Sequence, residues 1–233
     1  EMCIRDRKYT RDAEQLKEAL KSEPDNSRYQ FYLSQSYFDS QQYEKSLEAY
    51  MKRASMGGWE EEVFYSLYRA AMIKAILNHP WEEIQQAFLD AYEFRPIRAE
   101  PLYQISRCYR QIHNRPRLAY LYAKLAAEIP YPNDDILFVQ DDVYRYGVLD
   151  ELAATAYYAG KPHLGYSACK KLIDENLIPE SERQRITENL KSYERVLTEI
   201  HVKEADAKIS SDIKKTEEKK IEKERKRNTP NKT

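Results

Sequence analysis

Four carboxylates crowd the stretch YPNDDILFVQDDVYRYG at 131–147: Asp134, Asp135, Asp141 and Asp142. Carboxylates grouped in this way can hold a hard cation or share acid–base work. The same residues suit the first turns of short helices. There the peptide dipole favours anions, and Asn133 or an Asp side chain can accept from free backbone N–H groups. No His, Glu or Gly completes an ion loop with them, so the reading taken is that Asn133 and the two Asp pairs open successive short helices.

His79, His113 and His163 fall in or beside turn signals (NHP, HNRP, AGKP). Turns of stacked helix pairs can share one edge, which would suit a metal or a pH-sensitive edge. Neighbouring pairs, however, are offset by about a helix diameter, on the order of 10 Å. Ligands must sit about 2 Å from a shared zinc. Exposed turn histidines and no metal site are therefore expected. Cys3, Cys108 and Cys169 are far apart, odd in number and without a CxxC, which argues against a disulfide framework and for a reducing, cytoplasmic setting. Nucleophile, base and orienting group never share a spacing that would assemble a catalytic site, so neither catalytic residue nor cofactor is assigned.

The elements that must position these groups read as helices throughout. Among 233 residues there are 5 Gly and 10 Pro, too few for a loop-rich β-protein. Lys and Arg number 38 against 39 Asp and Glu, a net charge of −1 that argues against a whole-chain nucleic-acid or membrane-surface binder. The first ten residues are polar, and the chain lacks any apolar run near the roughly 18 residues of a membrane span. The 20 Tyr suit seams between packed amphipathic helices, where a ring is buried and its hydroxyl still reaches a partner.

Between the ends the sequence repeats at about 34–40 residues, the period of helix–turn–helix stacks. Copy one, residues 27–55, carries Leu33, Ser34 and Tyr37, a turn at Ser40 to Gln42, then Tyr43, Ser46 and Tyr50. Copy two, 59–96, carries Tyr65, Tyr68, Ala71, Met72 and Ala75, the NHP turn, then Trp81, Ile84, Phe88 and Ala91. Copy three, 99–130, carries Leu102, Ile105, Ser106 and Tyr109, then Ala119, Tyr122, Ala123 and Ala126. Copy four is looser, with Leu149, Leu152, Ala153 and Ala156 before AGKP and Gly165, Cys169 and Leu172 after it. Ile186, Leu190, Tyr193 and Leu197 outline a closing helix, opened by a Ser181-x-x-Gln184 capping box.

These residues resemble the tetratricopeptide repeat family, whose pattern sets small residues and aromatics at fixed places in each pair. Copy one matches through Ser34, Tyr37, Tyr43, Ser46 and Tyr50, and copy two through Met72, Ala75, Trp81, Ile84, Phe88, Ala91 and Pro96. Met72 and Ala75 invert the usual size order, and Arg53 stands where Ala is usual. The resemblance implies an all-α right-handed solenoid of about four helix pairs over 27–200. An entering helix lies in 8–26, around Arg11 to Ser22, and a closing helix completes the stack. In the family register the concave face carries Arg28, Phe31, Gln35, Phe38, Arg69, Tyr103, Arg107, Arg110 and Tyr157. Arginines interleaved with aromatics suit a peptide, an acidic group or a sugar-bearing substrate. Phe31 and Gln35 stand where a C-terminal EEVD clamp needs Lys and Asn, which disfavours that adaptor role.

The strings RDAEQLKEAL, PDNSRYQFYLSQSYFDSQQYEKSLEAYMKRASMGGWEEEVFYSLY and RPIRAEPLYQISRCYR also look like the helical region of certain bacterial and viral glycosyltransferases, where a family-2-like catalytic domain precedes such repeats. That resemblance implies a non-catalytic C-terminal repeat region. Its partner would be a protein or peptide, the catalytic domain, or a glycan-bearing acceptor. The alternative is a stand-alone protein–protein adaptor. Residues 1–7, EMCIRDR, resemble a translated adapter scar and are read as foreign to the fold. Over 201–233 charge is mixed and aliphatics are few, so a frayed helix passing into a disordered tail is expected.

Overall fold

The computed structural model describes residues 4–227, with side chains over 7–220. Those residues form ten α-helices and no strand, so the chain is all-α as the repeat pattern requires. The helices are α1 (Ile4–Ser22), α2 (Ser27–Asp39), α3 (Tyr43–Ser55), α4 (Glu60–Ile76) and α5 (Trp81–Phe94). They continue with α6 (Glu100–Gln111), α7 (Pro116–Ala127), α8 (Val148–Thr155), α9 (Pro162–Asp174) and α10 (Glu180–Arg227). A π-helical turn, Val143–Gly147, leads into α8, and a 3₁₀ turn, Ala156–Ala159, leaves it.

The hairpin turns follow from single residues. Gln41, Asn78, Asn114 and Gly160 end the first helix of each pair with φ between 49° and 70°. Asn and Gly reach this left-handed region at little cost and so terminate helices there. Pro116 and Pro162 then start α7 and α9, where a missing N–H costs nothing. Asn26 caps α2 by accepting from the Tyr29 N–H at 3.0 Å.

Each helix packs against the next one in the chain. First helices also meet first helices. The ring centres of Phe31 (α2) and Tyr65 (α4) are 5.9 Å apart, and Gln104 (α6) donates to the Tyr68 hydroxyl (α4) at 3.1 Å. Second helices do likewise, with Gln85 (α5) donating to the Tyr122 hydroxyl (α7) at 2.8 Å. The apolar interior is divided accordingly, each cluster joining one pair to the start of the next. Phe31 and Tyr50 meet Ala70 and Ile73, and Phe64 and Phe88 meet Ile105. Each fully buried Phe or Ile contributes about 2 kcal/mol of transfer free energy. Small residues set the hairpin crossings. Ser46 donates to the Ser34 carbonyl, and Ser106 to that of Ala119, both at 2.9 Å.

Arg53, the residue out of place in the repeat pattern, is fully buried and satisfied. Its Nε and Nη2 lie 3.1 and 2.9 Å from Glu62 Oε2 at the start of α4, and its Nη1 donates to the Gly57 carbonyl. An ion pair to α4 thus stands where the expected pattern has a small residue.

At the ends of the chain helix extends further than expected and one expected cap is absent. Helix α1 runs back to Ile4, so part of the 1–7 stretch continues the entering helix; Cys3 lies outside the described residues. Ser181 is inside α10, which begins at Glu180, and Gln184 donates to Glu188, so the capping box does not form. The charged tail is helical to Arg227 rather than frayed, and 228–233 lie outside the described residues. No Gly or Pro interrupts the chain from Glu180 to Thr229, and Lys and Glu are good helix formers. From His201 to Lys220 every side chain is exposed, so this stretch of α10 buries no side chain against the other helices.

Candidate functional site

Helix α6 buries Leu102, Ile105 and Ser106, which leaves Tyr103, Gln104 and Arg107 on its less buried side. Tyr103 and Arg107, one turn apart, pair through the guanidinium lying 5.6 Å from the ring centre. Gln104 extends the surface to the Tyr68 hydroxyl on α4, which burial pushes up to about 12.

The opposite wall is the 131–147 segment, and buried ion pairs hold it in place. Arg98 is 1% exposed and grips Glu100 through Nε and Nη2, the latter at 2.7 Å. Its Nη1 reaches Asp135 at 3.1 Å, and Arg95 adds two bonds to the same carboxylate at 2.9 and 2.5 Å. Glu100 in turn accepts from the Tyr144 hydroxyl at 2.7 Å. Glu61 of α4 accepts the backbone N–H groups of Ile136 and Leu137 at 2.8 and 2.7 Å. Arg98 donates to the Phe138 carbonyl at 3.2 Å, securing a residue whose φ of 48° is costly for an aromatic. Phe138 then rests on Tyr65, with ring centres 4.7 Å apart.

This arrangement corrects the reading of the acidic segment. Residues 133–140 form turns, not a helix, so Asn133, Asp134 and Asp135 open none. Asp135 is an ion-pair residue whose carboxyl lies below the ordinary carboxylate range, chiefly because Arg95 donates to it. Asp141 and Asp142 do precede the π-turn, but they bond Tyr131 and Arg145 side chains at 2.7 Å and cap nothing.

Between α6 and this segment lies a groove of about 440 Å³. Tyr103, Gln104 and Arg107 form one side, and Gln140, Asp141, Asp142, Val143 and Tyr146 the other. Gln140 donates to the same Tyr68 hydroxyl as Gln104, at 3.0 Å, so both amides are held from behind. Gly147 lies close to Tyr103, where an added Cβ would stand 3.1 Å from Cζ and Oη of that ring. The five-residue π-turn that sets these positions is a rare geometry, found mostly at functional sites. A larger hollow, about 860 Å³, lies between the α7 start and α10, where Leu118, Val196 and Ile200 are joined by Arg115, Arg117 and Tyr158.

The other concave-face candidates separate into groups. Phe31 is 2% exposed and belongs to the core, because rings from α2, α3 and α4 close over it; a ligand cannot reach it. Phe38 and Arg69 meet each other, the guanidinium 3.7 Å above the ring. Gln35 lies apart, beside α1 residues Tyr9 and Asp12. Arg28 is tied to the buried Glu62. Arg110 is locked by two bonds to buried Glu151, at 2.8 and 2.6 Å, which commits its charge to the fold. Tyr157 is exposed but lines the α7–α10 hollow, away from the Tyr103 groove. Only Tyr103 and Arg107 of the nine share the groove.

Sequence reasoning missed Gln104, Gln140 and Tyr146. The one usable signal was the RPIR string at 95–98, two arginines whose carboxylate partners had to come from elsewhere. His79 pairs with Glu83 at 3.2 Å, His113 packs on Trp81, and His163 lies near His201. Among the described residues, groups of three His, Cys, Asp or Glu placed to hold a metal ion do not occur; nor is any helix long and apolar enough to cross a membrane. Compared with known proteins, the chain matches no family model and no curated protein.

Proposed function

We propose that this chain is a non-catalytic scaffold, a right-handed stack of tetratricopeptide-like hairpins whose inner face, over α4 and α6, holds a partner. The observation that carries the reading is Arg107. Arg28, Arg53, Arg95, Arg98 and Arg110 all spend their charge on carboxylates of the fold. Arg107 has no carboxylate partner among the described residues and lies on Tyr103 at the edge of a groove. An arginine stacked on a tyrosine and left unpaired is a frequent anchor at binding surfaces. Packing of successive helices, and of first helices on first helices, supports the stacked-hairpin reading.

The resemblance of residues 11–68 and 95–110 to glycosyltransferase repeat regions supports placing the scaffold beside a sugar-transferring domain, in the cytoplasm, where it orients that domain or its acceptor. Extending the reading frame upstream in an intact genomic copy tests this. A strand–helix domain with an acidic metal motif is expected there. A start Met and ribosome-binding site just before Lys8 would overturn it in favour of a stand-alone adaptor. One observation favours the adaptor: Leu118, Leu121 and Leu125 line up exposed on α7, a second apolar surface.

A further inference from the structure

We infer that the groove between α6 and the 140–146 segment is a subsite for a neutral saccharide. The inference rests on the scaffold reading and names the class of molecule its inner face takes.

Charge excludes the simpler ligands. Arg107 stands on one wall and Asp141 and Asp142 on the other. A phosphate or carboxylate drawn to Arg107 meets Asp141 across the groove, and an ammonium group drawn to Asp141 meets Arg107, while Asp142 is already paired with Arg145. Hydroxyl groups carry no such penalty. Each both donates and accepts, so one ring of hydroxyls can serve a guanidinium and a carboxylate together.

The remaining wall chemistry agrees. Gln104 and Gln140 both donate to the Tyr68 hydroxyl, at 3.1 and 3.0 Å. Their amide planes are thereby fixed, and each Oε1 is left as an acceptor. Asp141 is oriented by Tyr131, and Asp142 by Arg145. Tyr103 and Tyr146 supply ring surface for the C–H face of a pyranose, with hydroxyls at their polar ends. The volume of about 440 Å³ lies in the range of small-molecule sites. The π-turn and the contact of Gly147 with Tyr103 keep the two tyrosine-bearing walls in register before any ligand arrives.

The test is saturation-transfer NMR on the full chain with glucose, galactose, mannose, N-acetylglucosamine and their β-linked disaccharides. Inorganic phosphate and an acidic hexapeptide serve as competing probes. The expected result is saturable binding of at least one saccharide. Arg107→Leu and Tyr146→Leu should each weaken it about tenfold, the effect of one lost polar or stacking contact, with unchanged circular dichroism. Leu121→Gln, on α7, should bind as the parent does. Absence of saturable binding across the sugars, or equal affinity in Arg107→Leu, would overturn the inference. Phosphate binding in this groove, or capture of the hexapeptide alone, would also overturn it. Peptide capture would leave the scaffold reading standing, whereas the upstream reading frame decides the glycosyltransferase context independently.

Discussion

The ring of Tyr193 in α10 occupies the space into which a side chain on Gly165 of α9 would grow. A Cβ added at Gly165 would overlap Cζ and Oη of that ring and stand 2.6 Å from Cε1. The Tyr193 hydroxyl donates to the Ala153 carbonyl at 2.7 Å and accepts from the Tyr157 N–H at 3.1 Å. One ring therefore ties α10 to the end of α8, and Gly165 is what lets it lie there. Gly165→Ala is expected to destabilise by about 1–3 kcal/mol, the usual range for overpacking. Urea denaturation reads this as a lower midpoint at unchanged slope. In a Tyr193→Leu background the same substitution should cost less, since contacting residues are non-additive. Equal costs in both backgrounds would show that the ring is not the obstacle.

Arg107 and Arg110 lie one turn apart in adjacent register and should behave oppositely. Arg110→Glu removes the partner of Glu151, whose side chain is 3% exposed, and places a like charge beside it. A loss of about 3 kcal/mol is expected, as for breaking a buried pair. Arg107→Glu should stay within about 0.5 kcal/mol of the parent, as at most surface sites. Thermal melts separate the two. Comparable melting temperatures for both variants would contradict the ion pair.

Asp135 predicts a pH dependence. Its folded carboxyl lies below the ordinary value, first through the Arg95 hydrogen bond and further through Arg98. A depressed carboxyl stabilises the fold above the unfolded value of about 3.9 and loses that contribution as pH falls through the folded value. Asp135→Asn should be less stable than the parent at pH 7, and the gap should close as pH drops below about 4. Urea midpoints at pH 7, 5, 4, 3 and 2 measure it. Parallel curves to the lowest pH would rule out this coupling.

Cys169 is fully buried, and burial pushes its thiol up to about 12. Because the thiolate is the reactive form, alkylation at pH 8 should be slow in the native protein and at least about 100-fold faster in urea. Cys108, half-buried with its thiol also raised by burial, should label ahead of it. Peptide mass spectrometry after timed iodoacetamide exposure reads both sites. Prompt native labelling of Cys169 would mean that α9 opens readily from its neighbours.

Much of the helical layout was legible in the chain alone. Leu33, Ser34, Ile105, Ser106 and Ala119 recur at helical spacing, and all five are buried where the stripes place them. The turn strings around Asn78, Asn114 and Gly160 end helices because few residues accept a positive φ. These are local properties, governed by side-chain period and backbone sterics within a few residues. That is why a single sequence discloses them.

What only the tertiary structure decided is which arginine answers which carboxylate. Arg98 and Asp135 are 37 residues apart, and Glu61 reaches Leu137 across 76. Spacing along the chain carries no trace of such pairings, because they are set by how successive helices pack and by where the 131–147 segment returns. The same folding sent Phe31 into the core, locked Arg110, and left Arg107 and Tyr103 beside Gln104 and across from Gln140, two glutamines that the sequence never singled out. Local periodicity determines that helices form and where they end. Long-range packing determines which of their polar groups remain free to meet something else.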